Sequence, residues 1–167
     1  MKRLLALFFS FCIILSSTIS VEAKSLDDYS STYIEYISDD LYAEVTLSVA
    51  PQNNNSSFSI NDSLKFKSAT RVSSKQKSAS KTYTIRNKYG KELAKYTLTG
   101  AFTYNGSSST CTRATCSTSI INPTYSFTQK SAWCSGNTAV GSFTLSSSRQ
   151  TTSKTLTLTC SANGNIQ

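Results

Sequence analysis

Polar and apolar residues alternate along most of this chain, and the cleanest alternation predicts its central strand. Between Tyr96 and Cys111 the apolar residues Tyr96, Leu98, Phe102 and Tyr104 are separated by Thr97, Thr99 and Thr103. A period of two gives a strand one buried face and one wetted face. The stretch ends in the turn signal Asn105-Gly106. Residues 41–49 alternate equally well, with Leu41, Ala43, Val45, Leu47 and Val49 on one side, until Pro51 stops them. Two further strands are predicted at 58–60 and 64–72. In the second, Leu64, Phe66 and Val72 oppose Lys65, Lys67 and Arg71. Residues 73–81 have no apolar pattern and read as an exposed Ser/Lys linker.

Residues 82–89 pair with the central strand through Asn87-Lys88-Tyr89-Gly90-Lys91, where Gly90 can supply the left-handed residue of a bulged turn. This register sends Tyr83, Ile85 and Tyr89 to the core and Thr84, Arg86, Lys88 and Lys95 outward. Later strands fall at 112–121, 125–133, 138–145 and 154–160. They are separated by Asn122-Pro123, Gly136-Asn137 and the polar stretch 146–153. Short strands at such spacing predict an all-β domain: an antiparallel two-sheet sandwich, immunoglobulin-like in general architecture, with an open barrel as the alternative. Gly100 marks a bend or close packing on the buried face. Trp133 reads as core filling.

The N-terminus sets the compartment. Lys2 and Arg3 precede an apolar run over 4–15, a polar patch and Val21-Glu22-Ala23. That is the layout of a secretory signal peptide, residues 1–23, cleaved after Ala23. The run is shorter than the ~20 residues of a spanning helix, and no transmembrane segment is expected in the mature chain. Residues 24–40 read as an acidic arm or short helix, because Leu26, Tyr29, Tyr33 and Ile37 also fit helical spacing. Residues 41–167 read as one disulfide-stapled β domain.

Charge is uneven. Asp27, Asp28, Glu35, Asp39, Asp40 and Glu44 precede Pro51, whereas only Asp62 and Glu92 follow it; the whole chain carries a formal net charge of +8. The outward register gathers Lys65, Lys67, Arg71, Arg86, Lys88 and Lys95 into a candidate anionic-ligand face. Anionic cell-wall or surface polymers are the partners this favours, without specific nucleic-acid recognition. Solubility alone is the plainer reading. A secreted antimicrobial, toxin-like or inhibitor effector is the functional alternative. The chain has no histidine, which removes Ser-His-Asp and Cys-His arrangements. No phosphate-binding glycine loop or Cys-x-x-Cys pair occurs, so neither enzyme, cofactor nor metal is expected.

Four cysteines follow the signal: Cys111, Cys116, Cys134 and Cys160. An even count in an exported chain predicts two disulfides with three possible connectivities. Alternation turns Cys160 inward with Leu156 and Leu158 and sets Cys111 and Cys116 on opposite faces. The expected pairs are Cys111–Cys160 and Cys116–Cys134.

Lys95–Thr112, Ser135–Thr144 and Lys154–Asn165 resemble a family of small secreted proteins of Gram-positive, clostridia-type bacteria. The resemblance covers roughly residues 82–167. It implies secretion, a β fold and a shared Cys111–Cys160 pair, with Cys116 and Cys134 as an addition. It supplies no activity.

Overall fold

The computed structural model describes residues 29–50 and 74–167. These form β1 (Tyr29–Ser38), β2 (Leu41–Val49), β3 (Lys75–Asn87), β4 (Glu92–Tyr104), β5 (Ser109–Ile120), β6 (Tyr125–Ser135), β7 (Thr138–Ser147) and β8 (Thr151–Thr159). One antiparallel sheet runs β1-β2-β3-β4-β5 and the other β6-β7-β8. The sheets do not close into a barrel, so the architecture is the sandwich. Among the described residues every ladder joins consecutive strands, a meander without the crossovers of a Greek key.

Alternation builds the core as expected. Leu41, Ala43, Val45, Leu47 and Val49 are buried along β2, as are Tyr96, Leu98, Phe102 and Tyr104 along β4. Phe143 of β7 meets Tyr96 at 4.8 Å and Tyr83 at 5.5 Å between ring centroids. The two sheets approach closely at glycines. A Cβ on Gly141 would lie 2.5 Å from the Tyr96 hydroxyl, and one on Gly100 would lie 2.9 Å from the Ala139 Cβ. Close packing is therefore the role of Gly100. In the β3–β4 turn Gly90 has φ +82, and the Asn87 side chain accepts from the Tyr89 and Lys91 amides.

Several expectations are corrected. Residues 29–38 are an edge strand and not a helix, since they ladder with β2 from Tyr29↔Val49 onward. The expected linker over 73–81 is strand from Lys75, paired with β4 from Lys75↔Tyr104. Its lysines lie on the inward register at the sandwich margin and reach carbonyls: Lys77 Nζ to Gly164 at 3.2 Å and Lys81 Nζ to Thr157 at 2.7 Å. Tyr89 is 84% exposed because it sits in the turn, past the end of the alternation. Thr84 does take the outward register, but Glu44 and Lys95 flank it on the adjoining strands and it is buried. Trp133 is exposed and does not fill the core. The strands expected at 58–60 and 64–72 lie outside the described residues.

The cysteine pairing also differs. Cys111 bonds Cys134 with Cα atoms 5.5 Å apart, while Cys116 and Cys160 are free thiols. A β-bulge is the reason the face argument failed. Ala101 pairs with Arg113 but Phe102 pairs with Cys111, so Thr112 is an extra residue and parity flips across it. Cys111 and Cys116 consequently share the inward face, opposite Phe102 and Leu98. Cys160 is fully buried, as its register with Leu156 and Leu158 requires. Closing a loop with a sequence separation of 23 contributes about 3 kcal/mol in the chain-entropy model.

Candidate functional site

The structure places half of the expected basic face and changes its meaning. Lys65, Lys67 and Arg71 lie outside the described residues. Arg86 and Lys95 do project outward, from β3 and β4, but both meet carboxylates. Arg86 Nε is 2.9 Å from Glu44 Oε2 and its terminal nitrogen 3.9 Å from Glu92 Oε2. Lys95 Nζ is 3.1 Å from Glu92 Oε1. Lys88, in the turn, holds Asp40 at 2.7 Å. This part of the outer face is charge-balanced. Glu35 is likewise engaged, by Lys154 of the opposite sheet.

Among the described side-chain carboxylates only Asp39 meets no described cation at ion-pair distance. Lys75, Lys91, Arg113, Lys130 and Arg149 in turn meet no carboxylate at ion-pair distance among the described residues. The positive excess therefore lies away from the β2–β4 face.

Part of that excess collects at one end of the sandwich. In a meander alternate turns share an end, so the β1–β2, β3–β4, β5–β6 and β7–β8 turns come together. Backbone bonds lock the first three: Lys88 N donates to Asp40 O at 2.9 Å, and Ile121 N and Asn122 N both donate to Leu93 O at 3.0 Å. Between these turns lies a cleft of about 490 Å³. Leu41 and Leu93 are its apolar lining, and Tyr89 and Tyr125 are its aromatic rings. Asn87, Asn122, Thr124 and Gln150 contribute amides and a hydroxyl, and Asp40, Lys88 and Arg149 contribute charge.

The charges are firmly set. A hydrogen bond from Lys88, then its charge and that of Arg149, hold the Asp40 carboxyl below the usual carboxylate range. The same bond raises the Lys88 pKa. Lys88 also lies 5.5 Å from the Tyr89 ring centroid, a cation–π contact that steadies an otherwise exposed ring. The cleft thus combines exposed aromatic surface, amide and hydroxyl groups, and two cations against one carboxylate. Such a set suits holding a hydroxylated anion by charge-assisted hydrogen bonds and ring contact.

Sequence reasoning found Lys88 but missed Arg149, Tyr89, Tyr125 and Asn122 as neighbours. Strand parity was the signal. Recognising β1 and the first half of β3 as strands would have put these four turns at one end. No family model, curated protein or solved structure matches this chain.

Proposed function

We propose that this protein is a secreted, non-catalytic binding module for anionic cell-wall or surface polymers, and that the turn-end cleft is its contact site. One observation carries the reading: carboxylates neutralise Arg86 and Lys95 on the β2–β4 face, whereas Arg149 borders an open cleft containing Tyr89 and Tyr125. Lys91 adds an exposed charge to the same β3–β4 turn whose Lys88 and Tyr89 line that cleft. A polyanion gains there from cations whose charge is not already matched. The expected selectivity is for charge combined with hydroxyl groups, not for one sequence or one sugar.

The test is binding of purified protein to immobilised poly(glycerol phosphate) and to heparin at physiological ionic strength. Arg149→Ala and Lys91→Ala should each weaken binding about five-fold, on the scale of roughly 1 kcal/mol per basic residue near an anionic surface. Lys95→Ala should leave it unchanged. Equal losses for all three variants, or binding no tighter than that of a charge-matched control protein, would overturn the proposal.

A further inference from the structure

The outer edge of β1 differs from the other sheet margins. The margin of β8 carries Lys154, and the chain's end covers part of it: Thr159 and Gln167 exchange backbone bonds of 2.9 and 3.1 Å, and Cys160 bridges Ile166. At the opposite margins, Cys111 of β5 donates to Gly136 beyond β6 at 2.8 Å, and the Cys111–Cys134 bond ties the two strands. The edge of β1 has no such cover among the described residues. Natural edges are blunted by lysine, proline, bulges or inward charges. From Tyr29 to Tyr36 this strand has no lysine, arginine or proline, and its only register shift comes later, between Tyr36 and Ser38. Its one charged side chain there, Glu35, is held by Lys154.

The same strand carries exposed apolar surface. Tyr33 is 54% exposed, Ile34 58% and Tyr36 82%. Ile34 and Tyr36 share the outward face, where a groove of about 200 Å³ runs beside them, lined also by Tyr42 and Lys88. In an antiparallel ladder every second residue points its N–H and C=O away from the existing partner. Half of the β1 backbone is thus presented outward next to apolar side chains, and residues 29–36 themselves carry no cation to repel a second strand.

We infer that β1 pairs antiparallel with β1 of a second copy of this chain, joining two five-stranded sheets across a two-fold axis at Ile34. A two-fold axis perpendicular to the sheet keeps each side chain on its own face, so residues of equal parity must pair. Centring on Glu35 would set two carboxylates side by side. Centring on Ile34 places the two isoleucines together and sets Thr32 of each copy opposite Tyr36 of the other. On the inward face it sets Tyr33 opposite the other copy's Glu35. Charge excludes the Glu35 centre, and pairing the exposed isoleucine side chains with each other favours Ile34.

The experiment is sedimentation of the purified protein over a range of concentrations at physiological salt, followed by mild oxidation of single-cysteine additions. The wild type should show a concentration-dependent dimer, and Ile34→Lys should be monomeric with a thermal midpoint matching that of the wild type at dilutions where the wild type is itself monomeric. Trp133→Lys, at another exposed apolar site on β6, should still dimerise. Residues paired across the axis have Cα atoms about 4.5–5.5 Å apart, inside the disulfide window of roughly 4.4–6.8 Å. Ile34→Cys should therefore form a covalent dimer. Thr32→Cys, four residues from its own symmetry mate and so about 14 Å away at ~3.4 Å per residue, should not. The wild type, with Cys116 and Cys160 free, is the oxidation control. A wild type that stays monomeric throughout, a dimer indifferent to Ile34→Lys, or cross-linking at Thr32→Cys matching that at Ile34→Cys would each overturn the inference.

Discussion

Gly141→Ala tests how the two sheets are held together. On an open strand this change is mildly favourable, because alanine narrows the unfolded ensemble and stabilises by about 0.4–1 kcal/mol where the backbone permits it. Gly141 has no positive φ to forbid alanine, so backbone conformation supplies no penalty. Space supplies one. The new Cβ would lie 2.5 Å from the Tyr96 hydroxyl, 2.9 Å from Leu98 Cδ1 and 3.3 Å from Tyr96 Cζ. Tyr96 cannot swing aside easily: it is fully buried, stacked near Phe143, and its hydroxyl donates to Ser131 O at 2.8 Å. Overpacking of this kind costs about 1–3 kcal/mol, and stretching the tyrosine bond adds about 1 kcal/mol. The net expectation is a loss of about 2 kcal/mol. With a urea m-value of about 2 kcal/mol/M, the midpoint should fall by about 1 M at unchanged m. Tyr96→Phe removes the clashing oxygen and should itself cost about 1 kcal/mol. Added to Gly141→Ala, it should cost less than the two single losses together. Stabilisation by Gly141→Ala, or strict additivity with Tyr96→Phe, would refute this packing account.

Two further outcomes follow from burial. Burial above all raises the pKa values of Tyr83 and Tyr96, with Glu35 adding to the effect on Tyr83; the Tyr83 hydroxyl is also the buried side-chain oxygen among the described residues that lacks a hydrogen-bond partner. Below the usual tyrosine value of 10.0 both hydroxyls are protonated in the folded and unfolded chain. Above it only the unfolded chain ionises, so stability should fall by about 1.4 kcal/mol per pH unit for each tyrosine. Tyrosinate absorbance followed with circular dichroism checks this, and ionisation of every tyrosine near pH 10 with the fold intact would refute it. In the native protein, alkylation should label half-buried Cys116 first, because burial both hides the Cys160 thiol and raises its pKa. Non-reducing peptide maps should then yield Cys111–Cys134; a Cys111–Cys160 peptide would contradict the structure.

Much of the sandwich was legible where strands are buried on one face. β2 matches its predicted bounds, and the hairpin around Gly90 takes its expected form, because alternation and turn chemistry agree there. Legibility failed at the margins of the sheets. β1 keeps Tyr33, Ile34, Tyr36 and Ile37 only partly covered, and Tyr29, Tyr33 and Ile37 fit a helical spacing as well as a strand. In the first half of β3, lysines take inward positions and use their length to reach carbonyls, so no apolar rhythm remains to be read. The bulge at Thr112 shows how one inserted residue defeats a parity argument otherwise sound on either side. Glu44 and Glu92 were visible on the outward register, but their neutralising of Arg86 and Lys95 depends on which strands adjoin. The cleft was the hardest feature to foresee, because its residues come from four turns and join only through strand count.

The most direct test of a polyanion site at the turn end is residue-resolved NMR titration of the purified protein with a short glycerol phosphate oligomer. Saturable shifts should concentrate at Asp40, Lys88, Lys91, Asn122, Tyr125, Arg149 and Gln150. Shifts centred instead on Thr84, Arg86 and Lys95, or no saturable shift at physiological salt, would contradict it.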